Sequence, residues 1–182
     1  VLACVKRLDA QPFKVAWTDA EGVTRSYTPD FLCTFDDGSS VVVEVKPQKF
    51  VEKSAELFNA VSKQLRTKNL AFYVITDKQL THKRASMCQA WRRFRNSAVP
   101  DEMLARLMEK VDQGCNWEDT QADNVPKQAW FAALSRGAIG FDSPDFMTAT
   151  SAQLFHLRKL EADGHEILFN NWIGCTPWQP HL

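Results

Sequence analysis

"SYTPDFLCTFDDGSSVVVEVKPQ", residues 26–48, decides the fold. Two apolar runs flank "DDGS" (36–39), where Gly38 can take a positive φ, so the stretch reads as a hairpin. One arm is "SYTPDFLCTF" (26–35); the other is "SVVVEVKP" (40–47), ended by Pro47. Glu44 and Lys46 interrupt the valines of the second arm. Two apart on a strand, they project from one face, while Val43 and Val45 point the other way, into the core. On this reading the strand buries only its valine side. Asp30 lies on the first arm, and closure at 36–39 brings it opposite residue 44 or 45.

On the N-terminal side, "PFKVAWT" (12–18) reads as a strand and "DAEG" (19–22) as a turn, giving a meander of three short strands. On the C-terminal side, "KSAELFNAVSKQLRT" (53–67) has the helical period, with Leu57, Val61 and Leu65 four apart and Phe58 beside them. "LAFYVIT" (70–76) is a continuous apolar run, which suits a strand covered on both faces. Strand, helix, strand implies a parallel crossover. The first 80 residues therefore read as a mixed sheet with a packed helix.

Beyond residue 80 the pattern becomes helical, over about 83–96, 101–112 and 126–136. "GAIGFDSPDF" (137–146) reads as a short hairpin, followed by a helix near 151–163. Three helices with a small β-wing is the layout of a winged-helix unit. The expected division is 1–98 and 99–182. The fold class is α/β, a mixed-sheet core followed by a mostly helical, winged-helix-like C-terminal domain.

Composition bounds the function. The chain has 182 residues, 45% of them apolar, enough for a packed core. Its formal net charge is zero, so no polyanionic partner follows from the total, although a neutral total can hide a local basic patch. Five cysteines with no CxxC pair, and four histidines with no HxxxH, argue against a disulfide framework or a structural zinc site. A reducing, cytoplasmic location fits best. No apolar run approaches membrane-spanning length and no secretory signal is visible.

Asp30, Glu44 and Lys46 carry the chemistry. Two carboxylates held close repel each other and share a site comfortably when a cation lies between them. Oxygen ligands with open positions suit Mg²⁺, with Mn²⁺ as a substitute. A lysine at the edge of such a site can orient a water or neutralise a phosphate. The set can perform metal-assisted phosphodiester hydrolysis. The same spacing also fits an edge strand with a solvated face, on which Glu44 and Lys46 are ordinary surface charges.

"PDF", a turn and then "VEVKP" resemble the PD-(D/E)xK nuclease motif. "YTPDFLCTFDDGSSVVVEVKP", with "AQPFKVAW" ahead of it, resembles the TnsA endonucleases of heteromeric cut-and-paste transposons, from about Leu8 to Asp77. That resemblance implies a restriction-endonuclease-like core. It makes Asp30 and Glu44 metal ligands, the Val45 backbone carbonyl a third, and Lys46 the catalytic lysine. It implies a further acidic ligand on a helix before the first strand; no acid precedes Asp9, so that ligand is expected upstream of Val1. It also implies double-stranded DNA at transposon ends, cut at the 5′ ends, and two partners, a DDE-type transposase and an AAA+ regulator. The rivals are a catalytically degenerate adaptor bridging transposase, regulator and DNA, and a free-standing restriction-type nuclease. A second "PDF", in "SPDFMT" (143–148), is followed by no ExK, so Asp145 reads as a turn residue beside Pro144.

"KQLTHKRASMCQAWRRFRN" (78–96) is the other candidate. Lys78, Lys83, Arg84, Arg92, Arg93 and Arg95 are interrupted by no acid, and Trp91 and Phe94 lie among them. A basic helix of this kind can track a phosphate backbone, which marks Lys83, Arg84, Arg92, Arg93 and Arg95 as DNA contacts. It can equally be a solvated face or a protein-docking surface. The two aromatics read as core in every case.

Overall fold

The hairpin closes where its glycine allows. In the computed structural model, which describes residues 4–116, 125–141, 157–159 and 164–180, Gly38 has a φ of 86° between strands β4 (Phe31–Phe35) and β5 (Ser40–Val45). The two pair antiparallel, with Thr34 opposite Ser40 and Phe31 opposite Val43. β1 (Val5–Ala10) joins the free side of β4, and β6 (Ala71–Ile75) runs parallel to β5. The result is a mixed four-stranded sheet in the order β1-β4-β5-β6. β2 (Val15–Thr18) and β3 (Thr24–Tyr27) form a separate two-stranded ribbon.

This differs from a three-strand meander in two places. Residues 26–35 are not one strand: the chain breaks at Thr28–Asp30, where Pro29 is buried. Proline offers no ladder N–H and restricts the residue before it, so an arm containing Pro29 splits in two. β1 takes the place in the sheet that the meander gave to residues 12–18. Its sequence, VKRLDA, is mostly exposed, so it lacks the buried alternation that announces a strand.

The parallel step from β5 to β6 is made by α1 (Gln48–Val51), a 3-10 turn (Glu52–Ser54) and α2 (Ala55–Arg66). α2 buries Phe58, Val61 and Leu65 against Val15, Val42 and Phe72. Each such side chain contributes about 1.5–3 kcal/mol on burial, before the entropy of ordering it. β5 is therefore covered on both faces, since Val41, Val42, Val43 and Glu44 are all buried. The expectation that it buries only its valine side fails because β5 is an interior strand lying beneath α2. Val45, expected in the core, is 38% exposed where the strand leaves the sheet.

The chain divides into two compact units. One comprises Val5–Leu80 together with the tail from Cys175; the other includes Thr81–Gly174. The division falls at Leu80/Thr81, whereas the sequence pattern placed it near residue 98. In the tail, Trp178 donates its backbone N–H to the Phe72 carbonyl at 2.6 Å and its indole N–H to Asn59 at 2.9 Å. Ser62 and Arg66 bond the Trp178 carbonyl in return. The tail thus straps α2 and the outer edge of β6, satisfying backbone groups that an edge strand leaves open.

The other unit holds α3 (His82–Phe94), α4 (Asp101–Asp112), α5 (Lys127–Arg136), α6 (His165–Ile173) and a ribbon of β7 (Ile139–Phe141) with β8 (Leu157–Lys159). Its core contains Leu107, Val111, Trp130, Ile139 and Leu157. Met87 and Cys88 of α3 pack on this core, and Phe94 stacks on Phe131 of α5 with ring centroids 5.3 Å apart. That packing draws α3 into this unit. Residues 157–159, expected in a helix over 151–163, are the strand that pairs with β7. The rest of that range, and the second "PDF" with Asp145, lie outside the described residues. α6 had no counterpart in the sequence pattern. Among the described residues no helix is long and apolar enough to cross a membrane.

Candidate active site

Glu44 and Lys46 stand at the C-terminal end of β5, two residues apart, and Asp30 stands one residue before β4. The Asp30 carboxylate accepts the Val45 N–H at 2.8 Å, so the β4–β5 register delivers it to the place where Glu44 and Lys46 emerge. The Lys46 Nζ lies 3.8 Å from Glu44 Oε1. Its own N–H donates to the Ile75 carbonyl at 2.9 Å, carrying the parallel pairing one residue past the strand. Asp77 then accepts the Gln48 N–H at 2.7 Å. That bond, first among several, holds the Asp77 carboxyl below its usual range, and it fixes the corner at which the chain turns from Lys46 into α1.

Glu44 is the unusual member. It is only 6% exposed, yet it is a carboxylate beside a second carboxylate. Burial pushes its pKa up; the Tyr27 hydroxyl opposes this, Asp30 adds to it, and Lys46 opposes it. An acid kept in such surroundings is a costly use of a core position unless a positive charge is brought to it. Among the described residues no three His, Cys, Asp or Glu side chains converge. The acidic set is Asp30 with Glu44. An open cleft of about 590 Å³ adjoins it, lined by Val45, Pro47, Gln48, Lys49, Asp77 and Leu80.

Tyr27 belongs to this site, and sequence reasoning passed over it. Its hydroxyl donates to Glu44 Oε2 at 2.5 Å. Burial first, then the bond to Glu44 and the charges of Glu44 and Asp30, push its pKa far up, so it stays protonated and remains a donor. The ribbon that carries it is anchored by Val15 in the α2 core and by the Ala20 N–H, which donates to Glu56 of α2 at 2.7 Å. A tyrosine three residues before the acid of a "PD" turn was the available signal. Because Pro29 breaks the strand between them, Tyr27 and Asp30 reach one site despite their odd spacing.

The basic helix is only partly as expected. Lys83, Arg92 and Arg93 are exposed and Arg95 is half-buried. Arg84 is different: it is 3% exposed and donates to the Ile173 carbonyl at the end of α6. A guanidinium placed there ties α3 to a helix C-terminus, where the macrodipole favours a cation. Arg84 therefore leaves the set of candidate DNA contacts. Phe94 is half-buried against Phe131, while the Trp91 side chain lies outside what is described.

With this geometry in place, the sequence comparison adds a family. Residues 3–77 match the model of the TnsA-like endonuclease N-terminal domain. No curated protein matches the chain. The match ends at Asp77, the residue that braces the corner after Lys46, and it takes in Tyr27, Asp30, Glu44 and Lys46. Residues 3–77 are thus similar to a TnsA-like endonuclease N-terminal domain, and Tyr27, Asp30, Glu44 and Lys46 all lie within them.

Proposed function

We propose that this TnsA-like domain is a Mg²⁺-dependent DNA endonuclease of a cut-and-paste transposon, cutting the 5′ ends of the element in company with a DDE-type transposase and an AAA+ regulator. The observation that carries the reading is the buried carboxylate Glu44, set beside Asp30 and within 3.8 Å of Lys46 at the open end of β5. Two repelling carboxylates, one of them desolvated, form a donor set that fits a hard divalent cation. Asp30 and Glu44 would hold it, with the Val45 carbonyl as a third ligand. When bound, the cation supplies Lewis acidity and charge neutralisation at the scissile phosphate. Lys46 orients the water that adds to phosphorus in line with the departing oxygen, and its ammonium offsets charge gathering on the phosphate. The cleft beside Val45 and Pro47 leaves room for the strand being cut.

The test is strand-resolved cleavage of a duplex carrying a transposon end, with both partner proteins present. Mg²⁺ should give cuts confined to the 5′ ends of the element, and a chelator should abolish them. Cleavage that persists in chelator, or that falls on the other strand alone, would overturn the reading.

The second unit, with four helices and a two-stranded ribbon among its described residues, is proposed for a winged-helix-like docking role. Within it, the exposed Arg92 and Arg93 are proposed as phosphate contacts. Each such contact adds about 0.9 to the slope of log affinity against log salt on duplex DNA. Changing both to Gln should flatten that slope by up to about 1.8, at 0.9 per contact, equally on all sequences. An unchanged slope would assign the face to solvent; a lost regulator interaction at constant DNA affinity would assign it to protein docking.

A further inference from the structure

The structure assigns Tyr27 as a positioning residue that turns Glu44 into a one-oxygen ligand and thereby favours a small divalent cation over Ca²⁺. This rests on the metal reading of the site and says which residue sets its selectivity. The two oxygens of Glu44 are unequally placed. Oε2 is taken by the Tyr27 hydroxyl at 2.5 Å, and Oε1 is the oxygen on the Lys46 side, 3.8 Å from Nζ. The Tyr27 ring packs against the α2 core, and Tyr27 pairs in register with Val15, itself 4% exposed. The hydroxyl therefore comes from a fixed body, and it occupies one lone pair of Oε2, which leaves Oε1 as the freer oxygen of the carboxylate. Ca²⁺ readily takes both oxygens of a carboxylate in a loose shell of six to eight ligands, whereas Mg²⁺ and Mn²⁺ take single oxygens in an octahedron. Hydrogen bonds that orient a ligand in this way are commonly worth about 10–100-fold in metal affinity.

The experiment is calorimetric titration of the full chain with Mn²⁺ and with Ca²⁺, on wild type, Tyr27→Phe and Asp30→Asn. Phe keeps the ring in the core and removes only the hydroxyl. Tyr27→Phe should bind Mn²⁺ about 10-fold or more weakly. It should bind Ca²⁺ no more weakly than wild type, so that the preference between the ions narrows. Parallel loss of both affinities with a lowered thermal midpoint would mean that the hydroxyl is merely structural, and unchanged affinities would mean that it orients nothing; either overturns the proposal while leaving the metal reading intact. Wild type failing to bind Mn²⁺, or Asp30→Asn binding it as wild type does, would overturn both.

Discussion

Lys46→Ala should lower the strand-cleavage rate about a hundredfold in the complete complex, while leaving DNA binding and partner binding nearly unchanged. The side chain is one-third exposed and its amine is 3.8 Å from the buried Glu44 carboxylate. Only the lysine end of this pair is solvated, so a thermal melt of the variant separates any loss of stability from a loss of rate. Its proposed work is in the transition state, where a positioned cationic donor meets charge as it develops. Losing one such donor commonly costs about 3 kcal/mol, which is the hundredfold. The matched measurements are single-turnover cleavage and equilibrium binding of the same duplex. Arginine is a useful second variant: it keeps the charge but changes the donor geometry, so it should bind DNA as wild type does without restoring the rate. Wild-type rates in the Lys46→Ala complex would remove the lysine from the chemistry. A wild-type complex with no strand cleavage at all would favour the adaptor reading, in which the domain only bridges DNA and partners.

What the sequence reveals of this site divides along physical lines. The β4–β5 hairpin, the β5–β6 crossover and the Glu44/Lys46 pair rest on local signals: a glycine at a turn, a helical period, a two-residue repeat. Such signals survive without knowledge of the surroundings. Burial does not. Glu44 looks like a solvated charge in "VVVEVKP", yet α2 and the ribbon cover the face it shares with Val42. Arg84 is one of six like charges in sequence, but its guanidinium is taken inside to a helix end. Tyr27 reaches the site through a ribbon whose place is set by contacts with α2, far along the chain. β1 was missed for the opposite reason, because an exposed edge strand can be written almost entirely in polar residues.

Glu44→Gln should abolish Mn²⁺ binding and cleavage, yet make the metal-free protein more stable at neutral pH. The two effects have one origin. Glu44 has its pKa raised, chiefly by burial. Between the unfolded and folded pKa values the native state binds more protons than the unfolded chain, so stability falls as pH rises through that window. Above it, the ionised carboxylate is a standing cost that a neutral amide of the same shape removes. Gln can still accept the Tyr27 hydroxyl through its side-chain oxygen, so the bond that holds the group need not be lost. Relief of this kind is commonly worth about 0.5–2 kcal/mol. Each kcal/mol corresponds to a rise in thermal midpoint of about 2–4 °C at this chain length. The advantage should shrink as pH is lowered through the Glu44 titration, since wild type then carries a neutral acid too. Saturating Mn²⁺ should reverse the order, because wild type at a hundred times its dissociation constant gains about 2.7 kcal/mol that the mutant cannot. Thermal melts at pH 5 and pH 8, with chelator and with Mn²⁺, read all four corners. If Glu44→Gln is the less stable protein in chelator at pH 8, Glu44 is a structural acceptor for Tyr27 and its burial is not the signature of an ion site.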